Sequence, residues 1–179
     1  MVRMDDALRE RASHVRMLVL DVDGVLTDGK LYFDHAGNEM KAFNTRDGMG
    51  MKALQRVGIE VAVITGRKSA AVAQRMTQLG IRHVYQGRED KLDAFLELLE
   101  VTGLDAQQIC FAGDDWIDLP VLLRAGLAVS VADAEERVKQ QAHWITGRNG
   151  GDGAVREICN LILMAQEKDQ TILDEILAS

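Results

Sequence analysis

Asp21 and Asp23 stand two positions apart near the end of an apolar run, Met17–Val22, and that spacing turns both side chains of an extended chain to the same side. A second apolar run, Ile109–Ala112, leads into Gly113, Asp114 and Asp115, with Asp118 shortly after. A third, Glu60–Ile64, leads into Thr65-Gly66-Arg67, and Lys91 opens the segment before Ile109. Carboxylates gathered in one place repel one another, so a divalent cation is their natural partner, and an all-oxygen donor set suits Mg²⁺. The same cation would shield an anionic nucleophile from an anionic phosphate. Lys91 brings a second positive charge, and the Thr65 hydroxyl can donate to a phosphoryl oxygen. Together these parts point to phosphoryl transfer, with a phosphate monoester as substrate and Mg²⁺ as cofactor.

Such groups act only if the fold gathers them. Met17–Val22, Glu60–Ile64, Ile109–Ala112 and Leu127–Val131 read as buried strands, with His83–Tyr85 and Trp144–Thr146 as weaker ones. Helical spacing runs through Gly48–Val57, Ser69–Leu79, Lys91–Val101, Ile117–Ala125, Ala134–Ala142 and Ala154–Gln166, with Ser69 placed to cap its helix. Strands buried on both faces and alternating with helices imply an α/β fold: a doubly wound, Rossmann-like parallel sheet with helices on each side. Ligands of such sheets bind beyond the carboxyl ends of the strands, where Asp21, Thr65 and Asp114 all fall. Lys30–Phe33 and Glu39–Phe43 flank the turn-rich Asp34-His35-Ala36-Gly37-Asn38 and read as an inserted β-hairpin spanning 30–43. Between Thr65 and Lys91 there is room for one helix and one strand, so no cap domain is expected. The tail, 168–179, carries Ile172, Leu173, Ile176 and Leu177, as an amphipathic helix or as a segment that orders on docking.

Composition narrows the class further. The 179 residues are expected to form one domain. A net charge of −7 argues against a nucleic-acid partner. Cys110 and Cys159 lack metal-ligand spacing, and no apolar run is long enough to cross a membrane. Met1–Arg16 does not read as a signal peptide, and the cytoplasm is the expected compartment.

DVDGVLTDG from Asp21, TGR from Thr65, the isolated Lys91 and GDDWID from Gly113 resemble, in order and spacing, the four motifs of the haloacid dehalogenase superfamily of phosphatases. The hairpin, FNTRDG from Phe43, Arg67 followed by Arg75, and GDGAVRE from Gly151 are similar to the 3-deoxy-D-manno-octulosonate 8-phosphate phosphatases within it, over Met17–Gln166. That resemblance implies a Mg²⁺-dependent enzyme of lipopolysaccharide precursor synthesis, a small-molecule sugar-phosphate substrate, no membrane partner, and a homotetramer in which neighbouring subunits close uncapped sites. It implies Asp21 as nucleophile and metal ligand, and Asp23 as general acid and base whose main-chain carbonyl also meets the metal. Asp114 would complete the metal set, with Asp115 and Asp118 supporting it from behind. Substrate contacts would come from Asp23, Asn44, Thr45, Arg46, Asp47, Gly48, Lys52, Arg67, Arg75 and Lys91.

Other readings remain at this level. Lys52 fits a solvated helix face almost equally well. The glycines at 147, 150, 151 and 153 read as a loop bordering the site. The motifs also fit a phosphatase for another sugar or nonulosonate phosphate, or a catalytically silent scaffold. A phosphoacceptor domain like a response regulator shares the acids, the Thr and the Lys, but its phosphorylated acid follows the third strand, and it needs no second acid two residues on.

Overall fold

The computed structural model describes residues 4–178; residues 1–3 and 179, at the ends of the expected domain and tail, lie outside it. Helix α1 (Asp6–Ser13) leads into strand β1 (Met17–Leu20), which is followed by a short antiparallel pair, β2 (Tyr32–Phe33) and β3 (Glu39–Met40). Then α2 (Thr45–Arg56), β4 (Glu60–Thr65), α3 (Ala70–Leu79), β5 (His83–Gln86), α4 (Lys91–Thr102) and β6 (Ile109–Gly113) alternate. The chain finishes with α5 (Leu119–Leu122), β7 (Leu127–Ser130), α6 (Glu136–Gln141), β8 (Trp144–Ile145), α7 (Ala154–Ala165) and α8 (Asp169–Leu177).

The main sheet runs β5-β4-β1-β6-β7-β8, all parallel. The chain starts in the middle, winds out to β5, then returns to β6 and winds the other way. The strand order reverses between β1 and β6, and the crevice there is where a doubly wound sheet binds ligands. A response-regulator sheet places its strands in the order 2-1-3-4-5, with the second and third flanking the first. Here β4 and β6, the second and fourth strands of the sheet, flank β1, which removes the phosphoacceptor reading on topology.

Alternation along β1 explains the two cores. Leu18 and Leu20 join Met51 and Leu54 of α2, Val72 and Met76 of α3, and Ile158 and Ile162 of α7. Met17 and Val19 face the other way, onto Phe95 and Leu98 of α4, Val121 and Leu122 of α5 and Val138 of α6. Every residue of β1 is buried, so the run shows no polar–apolar alternation in sequence.

Several boundaries differ from the sequence-based expectation. β1 stops at Leu20 because residues 21–27 curl into a turn in which the N–H groups of Val25, Leu26 and Thr27 all point at the Val22 carbonyl. α2 begins at Thr45 because the Asn44 side chain accepts from the Arg46 N–H at 2.9 Å. Ser69 occupies the N-cap position of α3 without a side-chain cap bond. The helix expected over Ile117–Ala125 is a 3₁₀ turn, Trp116–Asp118, followed by the short α5 with Pro120 in its first turn. The hairpin strands hold two residues each, and α1 was not expected from sequence at all. The tail is helical and packs Ile172 into the first core. Among the described residues only α3 and β5 lie between Thr65 and Lys91, and only the hairpin and α2 between β1 and β4, so no cap domain covers the sheet edge.

Candidate active site

Asp21 remains tied to the sheet by its N–H, which donates to the Ala112 carbonyl of β6 at 3.0 Å. The chain then turns sharply at Gly24, where φ is +95° and an added Cβ would stand 2.0 Å from an Asp114 carboxylate oxygen. Only glycine lets the two loops approach this closely. From the other side, the carbonyl of Gly24 occupies the space a side chain at Gly150 would need, and the Gly151 N–H donates to the Val25 carbonyl at 3.0 Å. The glycine loop expected to border the site therefore packs on the loop that carries Asp21.

Lys91, at the start of α4, reaches under this edge. Its Nζ lies 2.7 Å from Asp21 Oδ1 and 2.6 Å from Asp118 Oδ1, and its side chain is 2% exposed. The other oxygen of Asp118 accepts from the N–H groups of Asp114 and Asp115, at 3.0 and 3.2 Å. Asp118 is thus fully engaged: it anchors the lysine and shapes the turn after β6. Asp115 is spent on that turn too, capping it through the Trp116 N–H at 2.7 Å.

Oxygens of Asp21, Asp114 and Asp118 lie within 4.8 Å of one another, and the buried Oδ1 of Asp114 has no hydrogen-bond partner. A buried carboxylate oxygen without a donor is costly, and a cation satisfies it best. Burial is the main force pushing Asp114 up to about 8, with Asp21 and Asp118 adding repulsion. Asp21 is pushed up to about 7 by burial first and Asp118 second, and the Lys91 ammonium opposes the rise. Burial alone would pull Lys91 down, but Asp21 and Asp118 outweigh it and hold its pKa above the usual value. One ammonium does not neutralise three carboxylates, so the site is built for one more cation. Asp21 and Asp114 fit a hard divalent ion.

Thr65, buried at the end of β4, accepts from the Arg67 N–H at 3.4 Å. Arg67 projects toward the Asp21 loop, with Nε 3.9 Å from Asp23 Oδ2 and Nη2 3.1 Å from Glu39 Oε1. Asp23 is not one of the three clustered carboxylates and pairs with Lys41 instead. Lys41 and Glu39 were missed in the sequence, because their partners Asp23 and Arg67 come from other parts of the chain. Asn44 joins the site edge through its Nδ2, which donates to the Gly151 carbonyl at 3.3 Å.

The remaining expected substrate contacts are not all gathered around Asp21 within this one chain. Asp47 is buried, and its Oδ1 accepts from the Arg156 N–H of α7 at 2.8 Å. Burial pushes Asp47 up to about 6. Arg75 lays its guanidinium over Gly48, where an added Cβ would stand 2.4 Å from Nη2. Thr45 and Arg46 are exposed, and Arg46 lines an open cavity of about 770 Å³ with Arg148 and Arg156. Lys52 is exposed on a shallow groove with Gln55 and Arg56.

The profile of the haloacid dehalogenase-like hydrolases matches residues 82–158, the stretch holding Lys91 and the Asp114–Asp118 loop. The 3-deoxy-D-manno-octulosonate 8-phosphate phosphatase KdsC of Yersinia pestis is 48% identical over 92% of this chain and 87% of its own. A crystal structure of the Yersinia pestis enzyme superposes with a TM-score of 0.91 at 47% identity, covering 92% of this chain and 89% of that one. The Moraxella catarrhalis enzyme, solved with magnesium, phosphate and the sugar acid KDO, superposes with a TM-score of 0.92 at 40% identity, covering 94% and 97%. Clustered acids around a lysine occur in unrelated phosphoryl-transfer proteins, but agreement of sequence and backbone along nine-tenths of the chain does not, and the chain belongs to the 3-deoxy-D-manno-octulosonate 8-phosphate phosphatase family of haloacid dehalogenase-like hydrolases.

Proposed function

We propose that the protein hydrolyses 3-deoxy-D-manno-octulosonate 8-phosphate to the free sugar acid and phosphate, in the cytoplasm, as a step in lipopolysaccharide precursor synthesis. The observation that carries this reading is the gathering of Asp21, Asp114 and Asp118 within 4.8 Å around Lys91, at the sheet's switch point. The family supplies the substrate.

Asp21 attacks phosphorus, a new P–O bond forms to its carboxylate, and the bond to the sugar oxygen breaks. Asp23 gives its proton to that oxygen as it leaves. Water then attacks the aspartyl-phosphate at phosphorus and passes a proton back to Asp23, and Asp21 is released as a carboxylate. Lys91 holds Asp21 in place, and the Thr65 hydroxyl donates to a phosphoryl oxygen. Mg²⁺, held by Asp21, Asp114 and the main-chain carbonyl of Asp23, would supply positive charge to the phosphoryl group. The test is phosphate release from a panel of sugar phosphates with Mg²⁺ present. The eight-carbon sugar acid should give the highest kcat/KM, and preference for a neutral sugar phosphate would assign the chain another substrate.

In this reading Arg67 and Arg75 recognise the sugar acid's carboxylate with planar guanidinium forks. They lie on separate elements, Arg67 beside Asp23 and Arg75 against Gly48 in the first turn of α2. Arg75→Ala should raise KM for the sugar-acid phosphate ~10–100-fold, as expected for losing a charged hydrogen bond. KM for an aryl phosphate should stay within about threefold. Equal losses on both substrates would move Arg75 to phosphate binding or to the fold.

Assembly follows from the exposed hairpin. Leu31, Tyr32, Phe33 and Met40 are all more than 40% exposed. Such an apolar edge is a liability on a monomer, and we take a cyclic homotetramer to cover it and to close each site with a neighbour. Removing residues 34–38 should lower both the sedimenting mass and the activity. A fully active monomer would defeat the proposal.

A further inference from the structure

The hairpin has an inner face as well as an outer one. Along residues 39–42, Met40 and Ala42 are exposed, while Glu39 and Lys41 turn inward, as alternation in an extended chain requires. The Lys41 side chain is 1% exposed although it comes from an edge hairpin of two-residue strands. A buried ammonium demands partners, and it has two. Its Nζ donates to Asp23 Oδ1 and lies 3.0 Å from Glu39 Oε1. The same Glu39 oxygen receives Arg67 Nη2 at 3.1 Å, and Arg67 Nε stands 3.9 Å from the second oxygen of Asp23. Two cations and two carboxylates thus form a closed ring that ends on Asp23.

The chemistry described above uses Asp23 and Arg67 of this ring but gives Lys41 and Glu39 no part. Asp23 lies within the 21–27 turn and has no helix or strand to fix its side chain, so its rotamer is set by whatever it pairs with. We propose that Lys41 is the positioning residue for Asp23, holding that carboxylate on the leaving-group side of the site and away from the Asp21–Asp114–Asp118 cluster, where it would otherwise compete for the cation. Glu39 orients Lys41 and balances its charge, and the hairpin is therefore a working part of its own subunit's active site as well as an assembly surface. This rests on the reading of Asp23 as the general acid.

Substrates with different leaving groups separate this role from a structural one. A sugar alkoxide needs a proton to depart, whereas p-nitrophenolate leaves without one. Lys41→Met, which keeps the aliphatic stem, should lower kcat on the sugar-acid phosphate ~10–100-fold, a large part of what general acid catalysis contributes. Its KM for that substrate and its kcat on p-nitrophenyl phosphate should stay within about threefold. In an Asp23→Asn background the same change should cost nothing further, because two residues acting as one unit are not additive. Lys41→Gln, a milder change, should show the same discrimination if Lys41→Met does not fold. Equal losses on both substrates, or a full additional loss in the Asp23→Asn background, would overturn the role of Lys41. If Asp23→Asn alone is active on the sugar-acid phosphate, the assignment of Asp23 fails instead, and the two failures are told apart by that one variant.

Discussion

Asp21→Asn is expected to abolish turnover, with kcat falling by on the order of 10⁴-fold or more, as when a covalent nucleophile is removed. It should leave the fold intact. Asparagine has nearly the same shape, and its amide oxygen can still accept from Lys91, now 2.7 Å from Asp21 Oδ1. The substitution also removes one of three crowded carboxylates, a charge that burial and Asp118 already disfavour. Without added metal, the variant should therefore melt no lower than the parent protein. Acid quenching of the parent protein during turnover of a substrate carrying radiolabelled phosphate should trap label on the chain, and the variant should trap none. Substantial activity in Asp21→Asn, or label still trapped on it, would require another nucleophile.

The elements that read well in the sequence are those whose burial leaves a one-dimensional trace. β1, β4, β6 and β7 are apolar because both of their faces are covered; β1 and β6 are followed directly by Asp21 and Asp114, and β4 ends on Thr65. Asp21, Thr65 and Asp114 could be placed because a parallel sheet gathers its strand ends. What was not legible depends on partners far away in sequence. Lys41 is one of many lysines until Asp23, 18 residues earlier, is seen beneath it. Asp47 was expected among the substrate contacts, yet it is buried, because its carboxylate meets an N–H of α7 that lies 109 positions further on. The separation of Arg67 from Arg75 had the same cause. Both follow β4, but one answers to the hairpin and the other to α2.

Chelation should show the other large effect. EDTA is expected to bring activity to background and Mg²⁺ to restore it, because Asp21 and Asp114 face each other with no donor on Asp114 Oδ1. The same crowding should appear in the stability of the metal-free protein. Both carboxyls have folded pKa values raised above 3.8, Asp114 to about 8 and Asp21 to about 7, by burial first and by their acidic neighbours second. The folded state therefore holds protons that the unfolded chain has already released. The contribution of these groups to stability is complete below about pH 4 and is lost as pH rises through the folded values near 7 and 8. Magnesium acts in the opposite sense. It competes with those protons, binds more tightly as they leave, and stabilises only the folded chain. At a free concentration a hundredfold above Kd, Mg²⁺ should raise Tm by about 5–10 °C at pH 8. The gain should shrink steadily toward pH 5.5, where the carboxyls are largely protonated. Asp114→Asn should abolish both the Mg²⁺-dependent gain and turnover while raising the metal-free Tm at pH 8. A Tm gain equal at the two pH values, or full activity after exhaustive chelation, would mean that these carboxylates do not hold the ion.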